Sequence, residues 1–282
     1  MKTLKTVAFQ GERGAYSEQA CRECLPDHQT IPCKTFEEVF QAVDEREARI
    51  GMIPVENSIA GVVSDSYDLL AVYQLHILGE YYLRVRHCLL GVKGADPNLV
   101  NAVYSHPQAL AQCRAFIRKH GFSWHAVYDT AGAAFDLAQR NNPFEAAIAA
   151  ELCAELYDLT ILEREIQDSH LNTTRFLLIV KDRPAPPPMD ESCKTSLVFE
   201  VRNIPASLYK CLGGFATNGI NLTRLESRPV PGTPWSYHFY LDFQGRPEES
   251  ACKLALEELT FFTSSLKILG SYPEASNWQS SQ

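Results

Sequence analysis

The sequence predicts an α/β fold with largely parallel sheets over its first 180 residues, followed by a ferredoxin-like βαββαβ unit. Three observations predict it. Short apolar runs alternate with helical periodicity as far as Val180, the pattern of strands joined by helices. A proline run then breaks both periodicities. Beyond it the order of patterns is strand, helix, strand, strand, helix, strand.

In the first part, apolar runs end in clusters of Gly, Ser, Asn or Thr. Thr6-Val7-Ala8-Phe9 runs into Gly11-Glu12-Arg13-Gly14, with a helix from about Tyr16. Residues 50–55 lead to Glu56-Asn57-Ser58 and a helical stretch through Leu70. Residues 102–104 lead to Ser105-His106-Pro107 and a helix over 109–120. Residues 124–128 lead to Asp129-Thr130 and a helix over 131–140. A strand over 146–149 precedes a helix ending near Tyr157, and residues 176–180 follow Asn172-Thr173-Thr174-Arg175. Such sheets bind ligands beyond the carboxyl ends of their strands. The Ser, Asn, Thr and Asp residues there are good N-caps, and Pro107 suits a first helical turn. Each helix start exposes N–H groups and partial positive charge. Singly these are only caps; several converging on one cleft make an anion site.

The break falls at residues 181–188, with four prolines in five residues, a stiff extended linker assigned to 182–194. Leu197, Phe199 and Val201 then alternate with polar neighbours as a strand. Leu208, Cys211, Leu212 and Phe215 have helical spacing, and 220–230 reads as a strand. Trp235, Tyr237, Phe239, Leu241 and Phe243 alternate as another strand. Ala251, Leu254, Ala255, Leu259 and Phe262 mark a second helix before a last strand at 266–272.

Composition excludes several classes. A formal charge of −8 argues against nucleic acid and against long-range attraction of an anion. No apolar run approaches the ~20 residues of a membrane span. The start, Met1-Lys2-Thr3-Leu4-Lys5, has no apolar signal region, so a cytoplasmic location is expected. Nine cysteines without framework spacing read as reduced thiols. Cys21 and Cys24 lie in a predicted helix with no second pair and read as core residues. The eight histidines show no metal-binding spacing, and no metal or cofactor is expected.

Four segments resemble the signatures of prephenate dehydratases in order and spacing: Gly11-Glu12-Arg13-Gly14-Ala15-Tyr16-Ser17, Pro54-Val55-Glu56-Asn57-Ser58, Ser105-His106-Pro107-Gln108 with Gln112, and Asn172-Thr173-Thr174-Arg175-Phe176. Glu226-Ser227-Arg228-Pro229 resembles the marker of the ACT domain attached to them. The resemblance implies a two-lobed, periplasmic-binding-protein-like catalytic domain over 1–181, with an ACT domain over 195–275. The lobes would comprise about 1–80 with 165–181, and 81–164, the chain crossing near 80 and 165. The implied substrate is prephenate, which loses water and carbon dioxide without a cofactor to give phenylpyruvate.

By this resemblance Thr174 is the key residue, donating to the departing ring hydroxyl as part of a network. Asn57 and Ser58, at an expected helix start, would donate to a carboxylate or the hydroxyl. Glu56 is either a proton source raised by burial or a surface carboxylate. Arg175 either clamps a carboxylate or forms an ion pair with Glu56 or Asp168. Ser105 and Gln112 would add neutral donors from the second lobe. Gly11 and Gly14 would allow close backbone approach, with Thr173, Phe176 and Thr130 at the cleft wall. His106 is taken as shaping the Ser105 turn.

The resemblance also implies L-phenylalanine as effector, held at an interface between paired ACT domains of a homodimer or homotetramer. Its segments here are Ala206-Ser207-Leu208, where the family begins with glycine, Asn221-Leu222, and Glu226, Ser227 and Arg228. Removing everything after Pro188 is then expected to leave activity and abolish inhibition. Two alternatives stand beside this function: arogenate dehydratase, and a non-catalytic amino-acid-sensing binding protein.

Overall fold

The computed structural model describes residues 5–188, 191–230 and 232–275. The first lobe contains β1 (Thr6–Gln10), α1 (Tyr16–Cys24), β2 (Gln29–Cys33), α2 (Phe36–Asp44), β3 (Ile50–Asn57), β4 (Gly61–Val62), α3 (Ser64–Val72) and β5 (His76–Arg84). The second lobe contains β6 (Cys88–Gly91), β7 (Ala102–Ser105), α4 (Pro107–Gln112), α5 (Arg114–His120), β8 (Ser123–Ala126), α6 (Thr130–Arg140), β9 (Glu145–Ala149), α7 (Glu151–Tyr157) and β10 (Thr160–Glu163). The chain returns to the first lobe as β11 (Thr173–Val180). It ends with β12 (Cys193–Val201), α8 (Ser207–Thr217), β13 (Leu222–Pro229), β14 (Tyr237–Gln244), α9 (Ser250–Phe262) and β15 (Thr263–Pro273).

Each lobe is built on one mixed sheet. The first has the order β2-β1-β3-β11-β5, with β4 on β3; β11 runs antiparallel to both neighbours. The second has the order β10-β6-β9-β7-β8, parallel only across β9, β7 and β8. The sheets are less parallel than expected because returning and crossing strands enter each of them. The third sheet, β13-β14-β12-β15, is antiparallel throughout and carries the βαββαβ order.

Local chemistry accounts for the elements. Val7, Ala8 and Phe9 are buried on both faces of β1, as a covered parallel strand requires. Thr35 caps α2 through Glu38 N at 3.1 Å while Glu38 returns a bond to Lys34 N at 2.7 Å, a reciprocal cap. Val39, Phe40, Ala42 and Val43 then supply the buried face.

Several boundaries differ from expectation. No helix begins at Asn57 or Ser58. Asn57 Oδ1 takes the N–H groups of Ile59 and Ala60, and the chain folds back to pair β4 with β3. The single helix expected over 109–120 breaks at Cys113, where Asp168 accepts Ala115 N–H and starts α5. The first crossing lies at residues 85–87, since β5 runs unbroken through residue 80. The last unit starts at Cys193, inside the assigned linker. Trp235, 91% exposed, lies outside β14.

The third sheet shares a core with the first lobe. Val198, Tyr240, Leu269 and Tyr272 pack in one cluster with Tyr67, Leu70, Leu75 and Ile77. The approach is close at Gly270, where a Cβ would come within 2.4 Å of the Ile77 carbonyl oxygen.

Candidate active site

A cavity of about 770 Å³ lies between the two lobes. Gly11, Tyr16, Pro54, Asn57, Thr174 and Phe176 face it from the first lobe. His106, Gln112 and Thr130 face it from the second, and His87 and Asn172 from the crossings. Side chains alternate along a strand, so β11 turns Thr174 and Phe176 toward this cavity and Thr173 and Arg175 away from it. On β3, Thr174 pairs with Asn57, Arg175 with Glu56, and Phe176 with Pro54. The extra residue, Val55, is a bulge. It lets both Pro54 and Asn57 reach the cavity.

Asn57 has a fixed orientation. The backbone amides of Ile59 and Ala60 can only donate, so the oxygen they share is its carbonyl. Asn57 Nδ2 therefore donates, to Asn172 Oδ1 at 2.8 Å and to Thr174 Oγ1 at 2.9 Å. The Thr174 hydroxyl accepts at that point. Among the described residues nothing takes its own proton, which is available to a ligand in the cavity.

The cavity suits an anion through local groups, as the net charge requires. Lys34 is its lysine, with an ammonium group unpartnered among the described residues. The start of α1 reaches the cavity through Ala15, Tyr16 and Ser17, and no side chain caps it. The starts of α4 and α6 reach it from the other lobe, capped by His106 Nδ1 and Asp129 Oδ1. Helix starts attract negative charge.

Other expected site residues lie elsewhere. Ser105 is fully buried and donates to the Ile148 carbonyl; it ties β7 to β9 and faces no ligand. Gly14, at φ +90°, permits packing: a Cβ there would meet Cys153 Sγ at 2.7 Å. Ser58 bonds Leu171 O and Thr173 N, closing β3 onto β11. Glu56 faces Arg224 at 3.5 Å, on the far side of the sheet from Thr174.

Arg175 points away from the cavity and forms the structural ion pair that was its alternative role, but with partners other than Glu56 and Asp168. Its side chain, 7% exposed, points into the boundary with the third sheet. Nε donates to Glu80 at 2.8 Å, Nη1 to Asp242 at 2.7 Å and Nη2 to Tyr272 Oη at 3.1 Å. Lys194 bonds the other oxygen of Glu80. Burial would raise the Asp242 pKa, but Arg175 and the Ser196 hydroxyl hold it below the ordinary carboxylate range.

The motifs gave no role to Tyr16, Asn172, Lys34 or His87. The first two stand inside quoted segments. Lys34 and His87 carry no local signal, because their neighbours come from distant parts of the chain.

The expected effector residues divide into groups. Ala206 adopts the left-handed conformation, φ +59°, directly before α8. Ser207 is buried and Leu208 half-buried; Asn221, bonded to Gln244, and Leu222 stand past the other end of α8. Eleven helical residues span about 16 Å. Arg228 faces the first lobe, where it bonds Asp68 and Ser64, so it does not stand free for an effector; Glu226, two residues back on the same strand, lies 4.0 Å from Arg224. Ser227 alternates to the exposed side.

Residues 7–184 match the family model described as prephenate dehydratase. The chain belongs to the prephenate dehydratase family. Its members are dehydratase lyases. Among relatives of this family, a bifunctional N-acyl-homoserine lactone acylase/prephenate dehydratase of Komagataeibacter europaeus is 43% identical, over 97% of each chain. The arogenate dehydratase/prephenate dehydratase 2, chloroplastic, of Arabidopsis thaliana is 42% identical, over 95% of this chain and 72% of its own. The crystal structure of prephenate dehydratase in complex with L-Phe from Arthrobacter aurescens superposes with a TM-score of 0.87 at 31% identity, covering 96% of this chain and 90% of that one. Dehydratase chemistry of this family fits a cavity furnished with oriented donors. Among the described residues no cluster of His, Cys, Asp or Glu could hold a metal, and no helix is long and apolar enough to cross a membrane.

Proposed function

We propose that this enzyme converts prephenate into phenylpyruvate, water and carbon dioxide, with Thr174 assisting the leaving hydroxide. The ring carboxylate departs as carbon dioxide, its electron pair enters the ring, and the C4 hydroxyl leaves with one proton as water. Thr174 donates a hydrogen bond to that oxygen as negative charge develops. Lys34 and the start of α1 hold the carboxylates, and the lobes limit water around the leaving carboxylate. The observation that carries this reading is the Asn57–Thr174 bond, which leaves the threonine proton for the ligand. Thr174→Ala should lower kcat by about 10²–10³-fold, the scale of one lost transition-state donor, with its unfolding midpoint unchanged. Phenylpyruvate absorbance measures it; near-normal turnover would remove Thr174 from the mechanism.

Arogenate carries an ammonium group where prephenate has a keto oxygen. The carboxylates of Glu12 and Asp129 at the cavity support testing it beside prephenate in the same assay. The acylase in the name of the Komagataeibacter relative is not carried over. Membership of an enzyme family also removes the ground for a non-catalytic sensor.

The βαββαβ unit is read as an ACT domain sensing L-phenylalanine. Residues 206–208 and 221–222 flank opposite ends of α8, so one effector molecule would need them from two protomers. The edge strand β13, with Leu225 exposed, offers the line of pairing for a homodimer or larger assembly. The prephenate assay with and without phenylalanine tests this, together with the mass in solution.

A further inference from the structure

The bonds that orient Thr174 continue past Asn57 across both lobes. Asn172 Oδ1 accepts from Asn57, so Asn172 Nδ2 donates; its acceptor is Gln112 Oε1 at 3.0 Å. That oxygen also lies 2.8 Å from His87 Nε2, which must therefore carry a proton. Nδ1 of the neutral ring is left to accept, and Tyr16 Oη stands 2.6 Å away, with the Arg86 carbonyl at 3.1 Å as a second acceptor for its proton. His87 is 2% exposed, and burial lowers its pKa, which favours the neutral ring. From Asn57 to His87 Nε2 each link has one permitted direction, set by the backbone amides of Ile59 and Ala60.

The chain of bonds also has a place in the architecture. Tyr16, Asn57 and Thr174 belong to the first lobe and Gln112 to the second. His87 ends the first crossing and Asn172 the second. The crossings are tied again where His87 N–H donates to Gln167 Oε1 at 2.8 Å.

We propose that His87 is a positioning residue for the dehydratase step: its Nε2–H pins Gln112 of the second lobe onto Asn172, and so holds Asn57 against Thr174 with the threonine proton turned to the cavity. The proposal rests on the dehydratase reading above. His87 acts only through Gln112, without contacting the reacting atoms.

The test uses the full chain with prephenate. His87→Leu removes the donor, whereas His87→Gln can place an amide N–H near the same point. His87→Leu should lower kcat about tenfold, the scale of one net hydrogen bond, with KM little changed, and His87→Gln should restore most of it. Combining His87→Leu with Gln112→Ala should cost no more than the worse single change, because the two act in series. Multiplying losses, or His87→Gln as slow as His87→Leu, would overturn the proposal. Nitrogen-15 spectra of histidine-labelled wild type give a readout independent of turnover and of how the variants fold. The His87 ring should be protonated at Nε2 and bare at Nδ1; the opposite tautomer would also overturn it. A wild type that leaves prephenate untouched would instead fault the substrate reading, while the ring spectrum still decides the direction of the bonds.

Discussion

At the scale of single residues, conformation at Ala206 matters as much as contact. A non-glycine residue in the left-handed region costs roughly 1–2 kcal/mol, and Ala206 is held there at φ +59°. Glycine would relieve that strain but would gain about 0.4–1 kcal/mol of freedom in the unfolded chain. Ala206→Gly should therefore stabilise by a net of about 0.5–1 kcal/mol. The check is a higher urea midpoint at unchanged slope; a lower midpoint would mean that the alanine methyl group contributes packing that outweighs the strain. The resemblance of the 206–208 segment puts glycine at this position, so the departure to alanine was legible. His87 was not. Its partners Tyr16 and Gln112 are 71 and 25 residues away, and no local pattern predicts such a meeting.

At the scale of elements, the alternation of β11 divides the Thr-Arg-Phe triplet. Thr174 and Phe176 serve the cavity, and Arg175 ties the same strand to the third sheet. Period two along 173–176 already contains that division, and applied to the motif it would have separated Thr173 and Arg175 from the site. The Val55 bulge is different: its one signal is Pro54, which has no N–H to give the ladder of a strand paired on both sides, and it decides that Asn57 and Pro54 share a face. The helix expected from Ser58 through Leu70 forms, but begins only at Ser64, because Asn57 satisfies two amides locally and turns the chain back. The division makes a separable prediction. Arg175→Met leaves Asp242 and part of Glu80 without their buried cation, and breaking such a pair costs about 3–5 kcal/mol. Urea unfolding should show that loss for Arg175→Met and almost none for Thr174→Ala. Equal stabilities would mean that the buried quartet of Glu80, Arg175, Lys194 and Asp242 contributes little.

At the scale of the whole molecule, the proline-rich segment suggests an appended unit that can be removed, and the packing opposes that. Val198, Tyr240, Leu269 and Tyr272 belong to the cluster that holds Tyr67, Leu75 and Ile77 of the first lobe. Tyr240 Oη bonds the Tyr67 carbonyl, Lys267 bonds the carbonyls of Leu70 and Tyr73, and Arg175 is enclosed by Asp242 and Tyr272. Cutting after Pro188 would uncover this apolar face and strip Arg175 of two partners, on the strand that carries Thr174. Loss of regulation without loss of catalysis, as the sequence suggested, is therefore not the expected result. The shortened chain should melt at least about 10 °C below the full chain, since a loss of roughly 4 kcal/mol shifts a domain of this size by about that much. It should also lose turnover in parallel, and the full chain should melt in a single transition. A truncated protein as stable and as active as the intact one would show that the shared core is only a surface contact, and that the first two lobes close on their own.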